Sequence, residues 1–294
     1  MGVTGSAGLR GTVRLASDPS TDRCLELHID RECRGTWASP SEAEMPGMHL
    51  LLALPRPKVM RRLWAPLASI GVASITVTGA TKVEGVYFST GLLDTPVVRA
   101  EVLRGLEQAG DPALPEIHLS RGLRGALQLA EQLATGQTIG DLPWGVSRFD
   151  LLGGSGPPTT LEQEKRPQPL GDGPQGNPRR SGKGRIETGA AISAAKGGAD
   201  EKGVLRLVAD PAGTRSAIQE ALQHGRAAGI PNAPCLLAVG PEGGWTPEEL
   251  ELLVSRGFHP VSVGSRPLTA ETFAPAFLAM VSEAVRCGAG SSMD

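Results

Sequence analysis

Apolar and polar positions follow two different periods along the chain. Residues 12–15 and Leu25-Glu26-Leu27-His28-Ile29 alternate with period two around Asp18, Pro19 and Asp22, which predicts a β-hairpin. From residue 49 apolar runs take turns with helical periods. His49-Leu50-Leu51-Leu52-Ala53-Leu54 reads as a buried strand, followed by a helix with Met60, Leu63, Trp64 and Leu67 on one face and a kink expected at Pro66. Residues 74–78 form the next strand, and Thr95-Pro96 supplies the N-cap and first position of a helix running to about Gln108. Ile117-His118-Leu119 is a short strand, and Leu123, Ala126, Leu127 and Ala130 mark another helix. Further on, residues 204–208 are a strand, 215–228 a helix through Ile218, Ala221 and Leu222, and 236–239 a strand running into Gly240. This alternation predicts an α/β fold, a mostly parallel sheet covered by helices.

The rhythm breaks between residues 150 and 203. Those positions hold 12 Gly, 6 Pro, no aromatic and six large apolar side chains, too little to offset the entropy of ordering. An unstructured insertion between two pieces of one sheet is expected there, with a basic RNA-contacting tether as the other reading. It holds much of an unusual excess, 39 Gly and 24 Pro in 294 residues. Net charge is −2, which excludes a protein built mainly as a polycation but leaves room for one basic face. No apolar stretch is long enough to span a bilayer, and residues 1–20 lack a secretory apolar region, so a soluble, non-secreted chain is expected. Cys24, Cys33, Cys235 and Cys287 fit neither a disulfide framework nor zinc spacing, which suggests a reducing compartment, cytoplasmic or organellar. The histidines at 28, 49, 118, 224 and 259 show no metal-ligand spacing, so no metal is expected.

Two segments can carry chemistry. In residues 239–249 a strand end meets Gly240, Gly243 and Gly244, then Thr246 and Glu249 in a capping box with Pro247 at the first helical position. That helix should bury Leu250, Leu253 and Val254 and stop at Gly257. Three glycines at the carboxyl end of a strand leave backbone N–H groups open to a flat or polar ligand, although an ordinary tight turn has the same composition. There is no Gly-Lys-Ser/Thr phosphate loop, no dinucleotide fingerprint after a strand and no Gly-x-Ser-x-Gly elbow. The second segment, residues 260–272, is a strand, a loop with Gly264 and Arg266, and the start of a helix presenting Phe273, Ala276, Phe277, Met280 and Val281. Two such loops so close in sequence suggest one shared cleft. Arg266 as a solvated loop residue and Glu271 as a first-turn charge favoured by the helix dipole remain the plainer alternatives.

Gly-Pro-Glu-Gly-Gly-Trp-Thr at 240–246, Gly-Phe at 257–258 and Val-Gly-Ser-Arg-Pro-Leu-Thr-Ala-Glu-Thr at 263–272 together resemble the RsmE family, ribosomal RNA uridine-N3 methyltransferases of the SPOUT superfamily. Ala53-Leu54-Pro55 with Lys58, Ile70-Gly71-Val72, Leu106-Glu107-Gln108, Leu114-Pro115-Glu116 and residues 206–211 fall in the family's order, so the resemblance covers roughly 49–135 and 204–285. It implies a SPOUT-type domain over 47–149 and 204–288 with a C-terminal trefoil knot, residues 1–46 as a partial PUA-like β-barrel, and 150–203 as the insertion. It also implies S-adenosyl-L-methionine held among loops after Val208, at 240–244 and at 263–269, and a homodimer with the site at its interface. Cofactor positions carried over are Ala238, Gly240, Pro241, Gly243, Gly244, Val263, Gly264, Leu268 and Thr269. Arg266, Glu271 and Glu242 are the catalytic candidates.

The implied reaction is methylation of uridine N3 in small-subunit, 16S-type ribosomal RNA. Arg266 would steady the anion forming on uracil, and Glu271 or Glu242 would take the proton or orient Arg266. Arg56, Lys58, Arg61 and Arg62 are candidates for phosphate contact. The sequence departs from the family at Pro267-Leu268-Thr269, where Ile-Leu-Arg is usual, at Phe273, and near Gly110-Asp111, where an arginine is missing. A non-catalytic RNA-binding or assembly relative, or an enzyme for another RNA base, are therefore the competing expectations.

Overall fold

The computed structural model describes residues 11–15, 25–29, 47–137, 146–151, 159–160, 203–213, 215–228, 233–264 and 266–290. All belong to one compact unit, residues 1–161 with 199–294. In chain order the elements are β1 (Gly11–Leu15), β2 (Leu25–Ile29), β3 (Met48–Ala53), α1 (Pro57–Ser69), β4 (Ser74–Thr78), α2 (Thr95–Ala109), β5 (Glu116–Ser120), α3 (Leu123–Ala134), β6 (Val146–Arg148), β7 (Thr159–Thr160), β8 (Leu205–Ala209), β9 (Arg215–Ser216), α4 (Ala217–Ala228), β10 (Cys235–Val239), α5 (Pro247–Ser255), β11 (His259–Ser262) and α6 (Ala270–Gly290). Short 3-10 turns at Gly85–Ser89 and Gly91–Leu93 link β4 to α2.

β1 and β2 pair antiparallel as a two-stranded sheet, the hairpin that their alternation predicts. The other nine strands form one sheet in the order β7-β6-β5-β4-β3-β10-β8-β11-β9. Every pairing from β5 across to β9 is parallel, and only β5-β6 and β6-β7 are antiparallel. The mostly parallel α/β sheet is thus present. Because side chains alternate across a strand, Leu50, Leu52, Leu237 and Val239 enter one layer beneath α1, α2, α4 and α6. Leu51, Leu236, Ala238 and Val208 enter the opposite, thinner layer beneath α3 and α5. With both faces covered, the central strands β3 and β10 are apolar apart from His49, as buried parallel strands tend to be.

Several boundaries differ from expectation. The N-cap of α2 is Asp94, with Thr95 and Pro96 inside the first turn, and Gly110 closes the helix at φ +68°. α1 runs through Pro66 unbroken to Ser69. Residues 215–216 are the edge strand β9, so α4 begins at Ala217, and Ile218 is exposed. In α5 only Leu253 of the three expected apolar residues is fully buried, and Val254 is exposed. The sheet also reaches into the segment expected to be unstructured: Leu151 is buried in the larger layer and Thr159–Thr160 pairs with β6. Residues 152–158 and 161–202, and most of residues 1–46, lie outside the described residues.

Within the thinner layer, His118 of β5 sits beside Thr76 of β4, fully buried, with neither ring nitrogen hydrogen-bonded among the described residues. Burial, reinforced by the Arg148 guanidinium, lowers its pKa from 6.5 to about 4. Burial also lowers His49 to about 4. An unfolded chain takes up these protons near pH 6.5, so the unfolded state binds more protons throughout the window from 6.5 down to 4. Stability is therefore full above pH 6.5 and falls as pH drops towards 4. Urea unfolding should show a loss of about 2 kcal/mol attributable to His118 between pH 7 and 5, and a His118→Leu variant should show a correspondingly shallower fall.

Candidate functional site

Because β8, β10 and β11 are neighbours and parallel, the loops that follow them open on the same edge of the sheet. They enclose a cleft of about 390 Å³. Ala209, Asp210 and Pro211 come from the end of β8, Val239 to Glu242 and Gly244 from the end of β10, and Val261 to Gly264 with Arg266 to Leu268 from the end of β11. Ala270 and Phe273 of α6 complete the wall. Two carboxylates, Asp210 and Glu242, one cation, Arg266, and the Ser262 hydroxyl are therefore the polar side chains in a wall made otherwise of apolar side chains and backbone.

The two glycine segments do converge. Of the expected cofactor positions, Gly240, Pro241, Gly244, Val263, Gly264 and Leu268 line the cleft, as do Arg266 and Glu242 of the catalytic candidates. Gly244 and Gly264 adopt φ +69° and +68°, where an L side chain is strained. Gly240 lies against the Trp245 ring, which an added Cβ would meet at 3.2 Å. The remaining candidates lie outside the lining. Ala238 points into the layer under α3 and α5, the parity opposite to Val239. Gly243 faces away, its carbonyl accepting a 2.7 Å hydrogen bond from Lys82 Nζ. Thr269 heads α6: its carbonyl accepts the N–H groups of Thr272 and Phe273, and its hydroxyl meets Thr272 Oγ1 at 3.1 Å. Glu271 turns to Arg62 of α1, Oε2 to Nη1 3.2 Å.

What holds the glycine turn in shape comes from the first half of the chain. Glu249 is nearly buried, and its carboxylate serves two segments. Oε2 accepts from Thr246 N–H at 2.9 Å, closing the expected capping box, while Oε1 accepts from Thr81 N–H at 2.6 Å and Thr81 Oγ1 at 3.0 Å. Lys82 also reaches the Trp245 carbonyl at 3.4 Å, and the Arg56 N–H donates to Glu242 Oε1 at 3.0 Å. Gly244 N–H closes the turn onto Pro241 O at 2.8 Å. Thr81 and Lys82 are absent from any sequence-based site because nothing near them in sequence signals a contact so far along the chain. Asp210 carried a weak signal, a polar residue at the carboxyl end of a strand. Among the described residues no group of His, Cys, Asp or Glu is placed to hold a metal ion. Burial pushes the Cys235 thiol up to about 12.

A family pattern described as an RNA methyltransferase domain matches residues 190–282. Ribosomal RNA small subunit methyltransferase E of Treponema pallidum is 36% identical over 77 residues, 26% of this chain and 29% of that protein. The protein of the same name from Synechocystis is 49% identical over 49 residues, 17% of this chain and 16% of its own length. The matched stretches therefore span less than a third of either relative. The fold resembles the crystal structure of ribosomal RNA small subunit methyltransferase E from Neisseria gonorrhoeae bound to S-adenosyl methionine, at 17% identity, TM-score 0.50, covering 93% of this chain and 78% of that one. It also resembles the putative methyltransferase from Legionella pneumophila in complex with SAM, at 16% identity, TM-score 0.50, covering 96% and 80%. The likeness is one of fold alone: an α/β architecture with a mostly parallel sheet.

Glu249 joins two loops through three hydrogen bonds, so Glu249→Ala should destabilise the protein by about 2–4 kcal/mol. Urea titration with intrinsic tryptophan fluorescence measures it. A loss below about 0.5 kcal/mol would mean the carboxylate carries no such bridge.

Proposed function

We propose that the cleft binds S-adenosyl-L-methionine and that the protein methylates RNA, with uridine N3 of small-subunit ribosomal RNA as the target. The observation that carries this reading is the meeting of both glycine turns and the end of β8 in one cleft. The match to an RNA methyltransferase domain over the segment that builds it adds support. The residues present suit the ligand. Val239, Val261, Val263, Leu268 and Phe273 offer apolar contact for a purine, and Asp210 and Glu242 offer negative charge to a cationic nucleoside. When bound, that nucleoside supplies an electrophilic methyl group.

In this reading Arg266 steadies the negative charge that grows on the uracil oxygens as the N3 proton leaves. Glu242 takes that proton, because Glu271 is engaged with Arg62 outside the cleft. The target base must be unpaired, since N3 is hidden in a duplex. The same reading carries a C-terminal trefoil knot, a PUA-like role for residues 1–46, an insertion between the two sheet halves, and a homodimer. One observation favours a binding-only relative instead: Thr269, where the family pattern has an arginine, is spent on heading α6.

Calorimetry with S-adenosylmethionine should show binding by the native chain, and Gly264→Val should weaken it at least about tenfold through strain at positive φ. Arg266→Ala should keep binding while methyl transfer to ribosomal RNA falls about 10²- to 10³-fold, read by mass spectrometry of the modified nucleoside. Unchanged turnover in that variant would remove Arg266 from its role. Binding without any transfer by the native chain would select the binding-only reading.

A further inference from the structure

Seven arginines among the described residues are paired with acids. Arg61, Arg62, Arg104, Arg148, Arg215, Arg256 and Arg286 each have a carboxylate within 4.0 Å. Among the described residues several exposed cations have no ion pair in that range, Lys58, Arg99, Arg124 and Arg266 with Arg56, Lys82 and Arg121, and the last three stand together. They are not scattered. Each follows a different strand, β3, β4 and β5 respectively, and those strands are adjacent and parallel, so all three lie at the edge where the cleft opens. Neighbouring strand ends are roughly 5 Å apart, which spaces the cations as a row.

The row is continuous with the cleft. Arg56 N–H is bonded to Glu242, a cleft residue, and Lys82 Nζ to Gly243. Gly79, which precedes Lys82, packs so tightly on the Arg121 carbonyl that no side chain fits between them. Two aromatic rings are interleaved: the Arg121 guanidinium lies over Phe88 at 5.1 Å, and Tyr87 immediately precedes Phe88 in the chain. Two acids lie nearby, Glu84 accepting from the Tyr87 hydroxyl at 3.0 Å and Glu242 accepting from Arg56 N–H, and neither forms an ion pair with these three cations among the described residues.

We infer that Arg56, Lys82 and Arg121 form a phosphate track for single-stranded RNA, leading one flank of the target nucleotide away from the cleft across the ends of β3, β4 and β5. The choice of RNA over another polyanion rests on the methylation reading. Exposed cations left uncompensated in a row are costly to keep together and are repaid by a polyanion that releases its counterions on binding. The half-buried rings give unpaired bases a surface beside the phosphates.

The test is fluorescence anisotropy with a labelled twelve-nucleotide oligouridylate over a salt series. Arg56→Ala and Arg121→Ala should each lower the slope of log affinity against log salt by about 0.7, and the double variant by about twice that. Arg286→Ala, about 24 Å along α6 from its start, should bind as the native chain does. Equal weakening by Arg286→Ala, or unchanged slopes in the other two, would overturn the track. Should either variant fail to fold, photocrosslinking of the native chain to a 4-thiouridine oligomer decides: crosslinks within residues 82–93 or at 121 support the track, and crosslinks confined elsewhere overturn it. S-adenosylmethionine calorimetry runs in parallel. RNA held on the track without nucleoside binding would undo the proposed function alone, and nucleoside binding with unaltered salt slopes would undo the track alone.

Discussion

The structure depends on β10 lying between β3 and β8. Leu50 pairs with Leu237 on one side of it, and Leu237 with Leu207 on the other. That single insertion joins a first half built on β3, β4 and β5 to a second built on β8, β10 and β11. It also fixes all six strands parallel, so every following loop emerges at one edge. Neither half holds a complete site. The second supplies the cleft, and the first supplies the groups that hold its glycine turn and the cations beside it.

A turn with Gly240, Gly243 and Gly244 loses more backbone freedom on folding than almost any other sequence would. Something must compensate, and the compensation is not local. Glu249 ties the helix start to Thr81, Lys82 holds the Gly243 carbonyl, and Arg56 holds Glu242. The result is an open backbone surface that is nevertheless fixed, which is what a ligand site needs if binding is not to be spent on ordering it.

Local periodicity revealed most of the architecture, because both layers are apolar and the strand and helix periods differ clearly. It mislaid ends whose identity is decided by partners. Residues 215–216 look helical until β11 offers them a parallel neighbour. Leu151 looks like the start of a Gly/Pro-rich tract until its side chain is seen in the larger layer. The site divides in the same way. Gly240, Gly264 and Arg266 were legible because they stand at strand ends, a local property. For Glu271, a catalytic candidate, and Gly243, a cofactor position, sequence gives the neighbourhood but not the direction, which Arg62 and Lys82 determine from far away in the chain. Ala238 is the exception: its parity with Leu236 already assigned it to the opposite face.

The place of β10 also sets the order in which the chain can become native during synthesis. β3 emerges early, an apolar strand with β4 to cover one side of it, and it waits for β10 to cover the other. Until translation has passed the long Gly/Pro-rich tract, the Leu50–Leu52 strand presents an unpaired hydrophobic edge, the kind of surface that recruits chaperones or mispairs with another nascent chain. Sheet pairing across so large a sequence separation is intrinsically slow, so the yield of folded protein should be governed by how well that edge is shielded during elongation.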